Sequence, residues 1–184
     1  MASDQAIGKK ELESIQLDYF LEAYEHATSV GLTRIIIPGL ENPDFVVADE
    51  EDRVLGVELT KLMRSPEEQF FTRVIRREEE PDSYGQLEQM HHLIAKKEEA
   101  RTKRYVAKVA ETILVIELVD GTLSSFMYLL EELAGEYSDH GFAEIWLVDY
   151  SDTDAYGNVE LFCLYPEDKW GIYERPNAGT KSYG

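Results

Sequence analysis

Cysteine is nearly missing from this chain: Cys163 is the only one in 184 residues. No internal disulfide can form, and a cysteine-based zinc centre is excluded. Flanked by Leu161, Phe162 and Leu164, that thiol reads as a buried strand residue. Long apolar runs are also missing, and none approaches the ~20 residues of a membrane span. Met1 to Leu12 hold no apolar signal segment. The expectation is a cytoplasmic protein without a membrane partner. Positive charge is scarce, with 18 Lys and Arg against 37 Asp and Glu, a net charge of −19. Such a surface repels phosphates and suits a basic protein partner better than an extended nucleic acid.

The scarcity is uneven. Residues 61–109 carry eleven Lys and Arg against nine Asp and Glu, a local net charge of +2. Apolar residues at 43% and charged residues at 30% mark a globular chain rather than a disordered one. The length suits a single domain spanning 1–184, with a core at about 11–165 and an unassigned tail at 166–184. There is no repeat, low-complexity tract or linker.

Apolar spacing at Leu12, Ile15, Tyr19, Ala23 and His26 predicts a helix over 11–28, stopped by Gly31. Strands are expected at 33–38, 44–48 and 54–61, the last two joined by five charged residues, Asp49 to Arg53. A helix over 64–80 and a break at 81–85 precede a long helix over 87–109. A very apolar strand at 112–119, an amphipathic helix at 122–137, and strands at 144–149 and 159–165 complete the order. The result is an α/β fold with a mixed sheet flanked by helices.

A turn symmetric about Glu51 opposes Asp44 to Glu58, with Cβ atoms roughly 5 Å apart. Like charges so placed destabilise a strand pair, and a hard divalent cation is the usual compensation. Glu58 also interrupts an apolar strand, Val54 to Leu59. Two carboxylates with a main-chain carbonyl make a Mg²⁺ or Mn²⁺ site with room for a phosphate.

Asn42-Pro43-Asp44-Phe45, followed after about a dozen residues by Gly56-Val57-Glu58-Leu59-Thr60, resembles the metal motif of the PD-(D/E)XK nuclease superfamily. The element order is similar to that family's restriction endonuclease-like αβββαβ core. The resemblance implies that Asp44 and Glu58 are catalytic metal ligands. Thr60 stands where the family pattern has lysine, and Lys61 alternates to the other face. Some branches carry Glu-x-Thr and take the lysine from the following helix. On the 87–109 helix the apolar stripe runs through Leu87, Met90, Ile94, Tyr105 and Val109, with Lys97 and Arg101 inside it. Buried cations need anions. Lys97 is therefore expected as the migrated lysine, and Arg101 as a phosphate-contacting or pairing residue. Glu22, on the apolar face of the first helix, is the candidate for the acidic residue such nucleases often carry there. His91 and His92 diverge by 100° and are expected at the surface.

The implied activity is metal-dependent hydrolysis of phosphodiesters in nucleic acid, DNA ahead of RNA. A small phosphorylated substrate is the runner-up. The alternative is a non-catalytic binding or regulatory protein on the same fold, with an acidic face for a basic partner. A second copy of the chain is a further candidate partner.

Overall fold

The computed structural model describes residues 8–40, 42–63, 83–104, 108–119, 123, 137–150, 159–169 and 171–173. Helix α1 (Lys9–Thr28) is followed by a meander of β1 (Thr33–Ile35), β2 (Phe45–Ala48) and β3 (Val54–Leu62). Helix α2 (Ser83–Arg104) leads to β4 (Thr112–Leu118), and then come β5 (Glu144–Asp149), β6 (Glu160–Tyr165) and β7 (Gly171–Tyr173). The seven strands form one sheet in sequence order. β3, β4 and β5 pair in parallel, and every other pairing is antiparallel. This is a mixed sheet flanked by two helices. The expected helix at 64–80, almost all of that at 122–137 and the turn at 152–158 lie outside the described residues. Among the described residues, no helix is long and apolar enough to cross a membrane.

The helices cover opposite faces of the sheet. Leu17, Phe20 and Tyr24 of α1 pack on Val57, Val115, Trp146 and Cys163. Met90 and Ile94 of α2 pack on Leu62, Leu114, Ile116 and Leu147. Side chains alternate along a strand, so odd positions of β3 and β4 serve the α1 core and even positions the α2 core. β4 is buried along its length apart from half-buried Glu117, as expected of a central parallel strand. Burial also pushes the Cys163 thiol up to about 12, which leaves it a weak nucleophile.

Several boundaries differ from expectation. Strand β1 stops at Ile35 instead of reaching Pro38: its β2 partner residues end at Val46 and Ile36 is 88% exposed. Helix α1 starts at Lys9, two residues before Glu11, and ends at Thr28 as expected, but Ser29 rather than Gly31 caps it, taking φ 60° and donating its N–H to Glu25 O at 2.8 Å. Helix α2 is described over Ser83–Arg104, beginning before the expected Leu87, and Lys108 and Val109 are not helical. The tail contributes a short 3₁₀ turn, Glu167–Lys169, and strand β7.

The β2–β3 turn fixes the register. Asp49 Oδ1 accepts the N–H groups of Glu51 and Arg53, both at 2.9 Å, and Asp52 takes φ 61°. The turn is symmetric about Glu51, and Ala48 opposes Val54, Val47 opposes Leu55, and Phe45 opposes Val57. Gly56 allows Pro43 to pack over β3, since a Cβ there would lie 2.6 Å from Pro43 Cγ.

Candidate functional site

The site begins where β2 runs out. Alternate residues of a central strand hydrogen-bond to opposite neighbours. The Gly56 N–H donates toward β4, to Glu111 O at 2.9 Å, so the N–H and C=O of Leu59 face the β2 side. β2 provides registered partners only as far as Phe45, opposite Val57. Opposite Leu59 the partner strand has ended, and a side chain replaces it: Asp44 Oδ2 accepts the Leu59 N–H at 2.9 Å.

Glu58 is the next even position on the α2 face. It is 9% exposed, a costly placement for a carboxylate without a cation. The cation is Lys97, whose Nζ lies 2.8 Å from Glu58 Oε1 and 3.4 Å from Leu59 O. Helix α2 delivers it by spacing: Met90, Ile94 and Lys97 follow one another at four and three residues along the face that meets the sheet. Two carboxylates, one ammonium and both polar groups of the Leu59 backbone thus converge at one point on β3.

Electrostatically the point is under-compensated. The Asp44 carboxyl is held above its ordinary pKa, first by burial and then by the charge of Glu58. The Leu59 N–H and the Lys97 charge pull it down, and the charge of Glu13 pushes it up. As a residue Asp44 is exposed at the rim, but its carboxyl folds back against the β3 backbone and loses part of its water there. Among the described residues, no three or more His, Cys, Asp or Glu side chains are close enough together to hold a metal ion. The donor set is therefore two carboxylates and the Leu59 carbonyl. All are hard oxygens, the chemistry of Mg²⁺ and Mn²⁺ sites completed by water. In donor type alone these residues fit such an ion.

The other candidates are placed elsewhere. Glu22 is exposed. The sequence wheel chose the wrong face of α1: Leu12, Ile15 and Tyr19 are 42%, 39% and 38% exposed, and the buried stripe is Leu17, Phe20, Ala23 and Tyr24. Glu13, in line with Leu17, Phe20 and Tyr24, is the α1 carboxylate whose charge reaches Asp44. Arg101 is buried as its position in the stripe requires, but it serves the helix end. Its Nε and Nη2 grip Glu98 at 2.8 and 3.0 Å, and Nη1 donates to Ala110 O at 3.2 Å. The fork holds the Glu98 carboxyl below its usual range. Arg101 thus ties α2 to the approach of β4, so its expected phosphate role has no support in this geometry. His91 is half-buried rather than on the surface, stacked on Tyr137 at 5.3 Å. Two contributors escaped sequence reasoning: Glu13, hidden by the face error, and the Leu59 N–H on Asp44, which no side-chain pattern announces; the main-chain carbonyl expected beside the carboxylates has its counterpart in Leu59 O.

Beside this point, on the α1 side of the sheet, lies a cleft of about 260 Å³. Lys97, Leu59 and Glu13 border it, and half-buried Thr60 forms part of its wall. Lys61 does alternate away from Glu58, and its Nζ lies 2.9 Å from Glu117 Oε2. Gln16 Nε2 donates to the same oxygen at 2.7 Å, and the Tyr150 hydroxyl donates to Gln16 O at 2.9 Å. Compared with family models, curated proteins and solved structures, the chain gives no match.

Proposed function

We propose that this protein is a divalent-metal-dependent phosphodiesterase of the PD-(D/E)XK kind, acting on nucleic acid. The observation that carries the reading is the convergence of Asp44, Glu58 and Lys97 on Leu59, where β2 leaves β3. Helix, three-stranded meander, helix and parallel strand agree in order with the restriction endonuclease-like core.

Asp44, Glu58 and the Leu59 carbonyl would hold Mg²⁺ or Mn²⁺, which on binding polarises a phosphoryl oxygen and acidifies a water. Asp44 is oriented for this by the Leu59 N–H, at no cost in side-chain freedom at the moment of reaction. The Lys97 ammonium, beside Glu58 and Leu59 O, stabilises negative charge growing on the phosphoryl group, the part a motif lysine would otherwise play. Thr60 offers only a neutral hydroxyl. Glu13 keeps the local potential negative, which favours cation loading and disfavours phosphate until a cation is bound.

The test is Mn²⁺-dependent cleavage of single-stranded and plasmid DNA by pure protein. Lys97→Ala is expected to lower the rate about 100-fold or more, and Asp44→Ala with Glu58→Ala to abolish metal binding by calorimetry. The net charge of −19 favours a second reading, a non-catalytic module presenting an acidic face to a basic protein. Wild-type protein that binds metal but cleaves no nucleic acid would decide for that reading.

A further inference from the structure

The cleft next to Lys97 has a polar floor that the phosphodiesterase reading does not use. We propose that it is a pocket for one unstacked guanine base, the substrate class for which the neighbouring site would be built; the link to catalysis rests on the phosphodiesterase reading. Size is the first argument. Sites for drug-sized ligands start near ~300 Å³. At about 260 Å³ the cleft has room for a single base.

Chemistry is the second argument. Leu59 and Val115 line the cleft with apolar surface, and Tyr150 adds an aromatic ring, the surfaces on which single bases are held. Glu117 lies on the same side. Its Oε2 is fixed by Gln16 Nε2 at 2.7 Å and by Lys61 Nζ at 2.9 Å, so the carboxylate is oriented before any ligand arrives. Oε1 and the Gln16 amide oxygen are acceptors. Guanine carries two adjacent donors, N1–H and the N2 amino group, which call for two acceptors such as Oε1 and the Gln16 amide oxygen. Adenine and cytosine set a donor beside an acceptor, and uracil has one donor between two acceptors. A cleft rich in acceptors and flanked by lysine ammonium groups for O6 and N7 selects guanine among the four.

Net charge is the third. A surface at −19 repels a long phosphate backbone. Recognition through one base lets a short or single-stranded substrate bind with few phosphate contacts. Lys97 and Leu59, which meet the carboxylates, also line the cleft, so a base held there lies next to the site.

The experiment is calorimetric titration of guanosine, which has no phosphate, into the full chain with EDTA present. Guanosine is expected to bind at least about 10-fold more tightly than adenosine, cytidine or uridine, the value of a charge-assisted hydrogen bond. Glu117→Gln should erase that preference. Gln16→Ala, an exchange that favours a helix, should weaken guanosine about 5-fold with the circular dichroism spectrum unchanged. Equal binding of guanosine and adenosine, no guanosine heat up to about 10 mM, or a preference kept by both variants would overturn the proposal. Without metal or phosphate the result is independent of Asp44 and Glu58. Metal-dependent cleavage with no guanosine binding would remove the pocket and leave the phosphodiesterase standing.

Discussion

Glu144 at the start of β5 and Glu58 in the middle of β3 are almost equally buried, at 8% and 9% exposed, but their surroundings differ. Glu144 accepts the Trp146 indole N–H at 2.7 Å and the Tyr24 hydroxyl at 3.1 Å, and it pairs with Lys169. The donors come from β5, α1 and the 3₁₀ turn, so this carboxylate locks three elements together. Glu58 meets Lys97, but it also acts against Asp44, whose proton it helps to retain. Equal burial thus has two meanings. A carboxylate ringed by donors holds the fold together, whereas a carboxylate set against another carboxylate still calls for positive charge. Local repulsion of that kind is where functional sites concentrate.

The comparison breaks most readily at Glu144. Glu144→Gln should cost about 3 kcal/mol in urea unfolding, because the indole, phenol and ammonium lose a charged acceptor. Glu58→Gln should cost about 1 kcal/mol or less, because losing the Lys97 pair is offset by relief of Asp44. Equal losses would erase the distinction between the two carboxylates.

Asp44→Asn sharpens it further. A carboxyl whose folded pKa is raised binds protons more readily folded than unfolded, so its contribution to stability falls as pH rises through that range. The substitution should therefore raise Tm by roughly 1–3 °C at pH 7 without metal. The gain should fade as pH falls to where the wild-type carboxyl is protonated in both states. Added Mg²⁺ should stabilise wild type and leave the variant unmoved, by linkage. A Tm gain that is the same at pH 4 and pH 7 would contradict the repulsion.

Thr112 gives the smallest effect and a control. Its hydroxyl is fully buried without a hydrogen-bond partner among the described residues, and it lies close to Gly56. Thr112→Val should be neutral or stabilise by up to about 1 kcal/mol, with no effect on metal binding. A clear loss of stability would mean that the hydroxyl has a partner after all.

What was legible in the sequence follows from how local the deciding interactions are. The β2–β3 register that brings Asp44 near Glu58 could be read because Asp49, Asp52 and Arg53 close a symmetric turn by themselves, although the paired residues end at Phe45 and Val57 and Asp44 turns to the Leu59 N–H. Lys97 could be read because a cation on an apolar stripe must meet an anion. Glu22 was misassigned because α1 carries apolar residues at helical spacing on both sides, and only packing on Val57 and Trp146 selects the Leu17–Phe20–Tyr24 side. Arg101 was half-read: the wheel gave its burial, but Glu98 sits one turn before it and captures the guanidinium. Strand β7 was missed because three residues carry no period.

Leu59 separates two properties that are usually tied together. Its main chain meets Asp44 and Lys97, and any L-amino acid but proline would present the same N–H and C=O. Its side chain points the other way, into the cleft. If the site and cleft act as proposed, position 59 is a place where selection could rewrite what the cleft accepts while the main-chain contacts to Asp44 and Lys97 stay constant, and an engineer could do the same with a single codon.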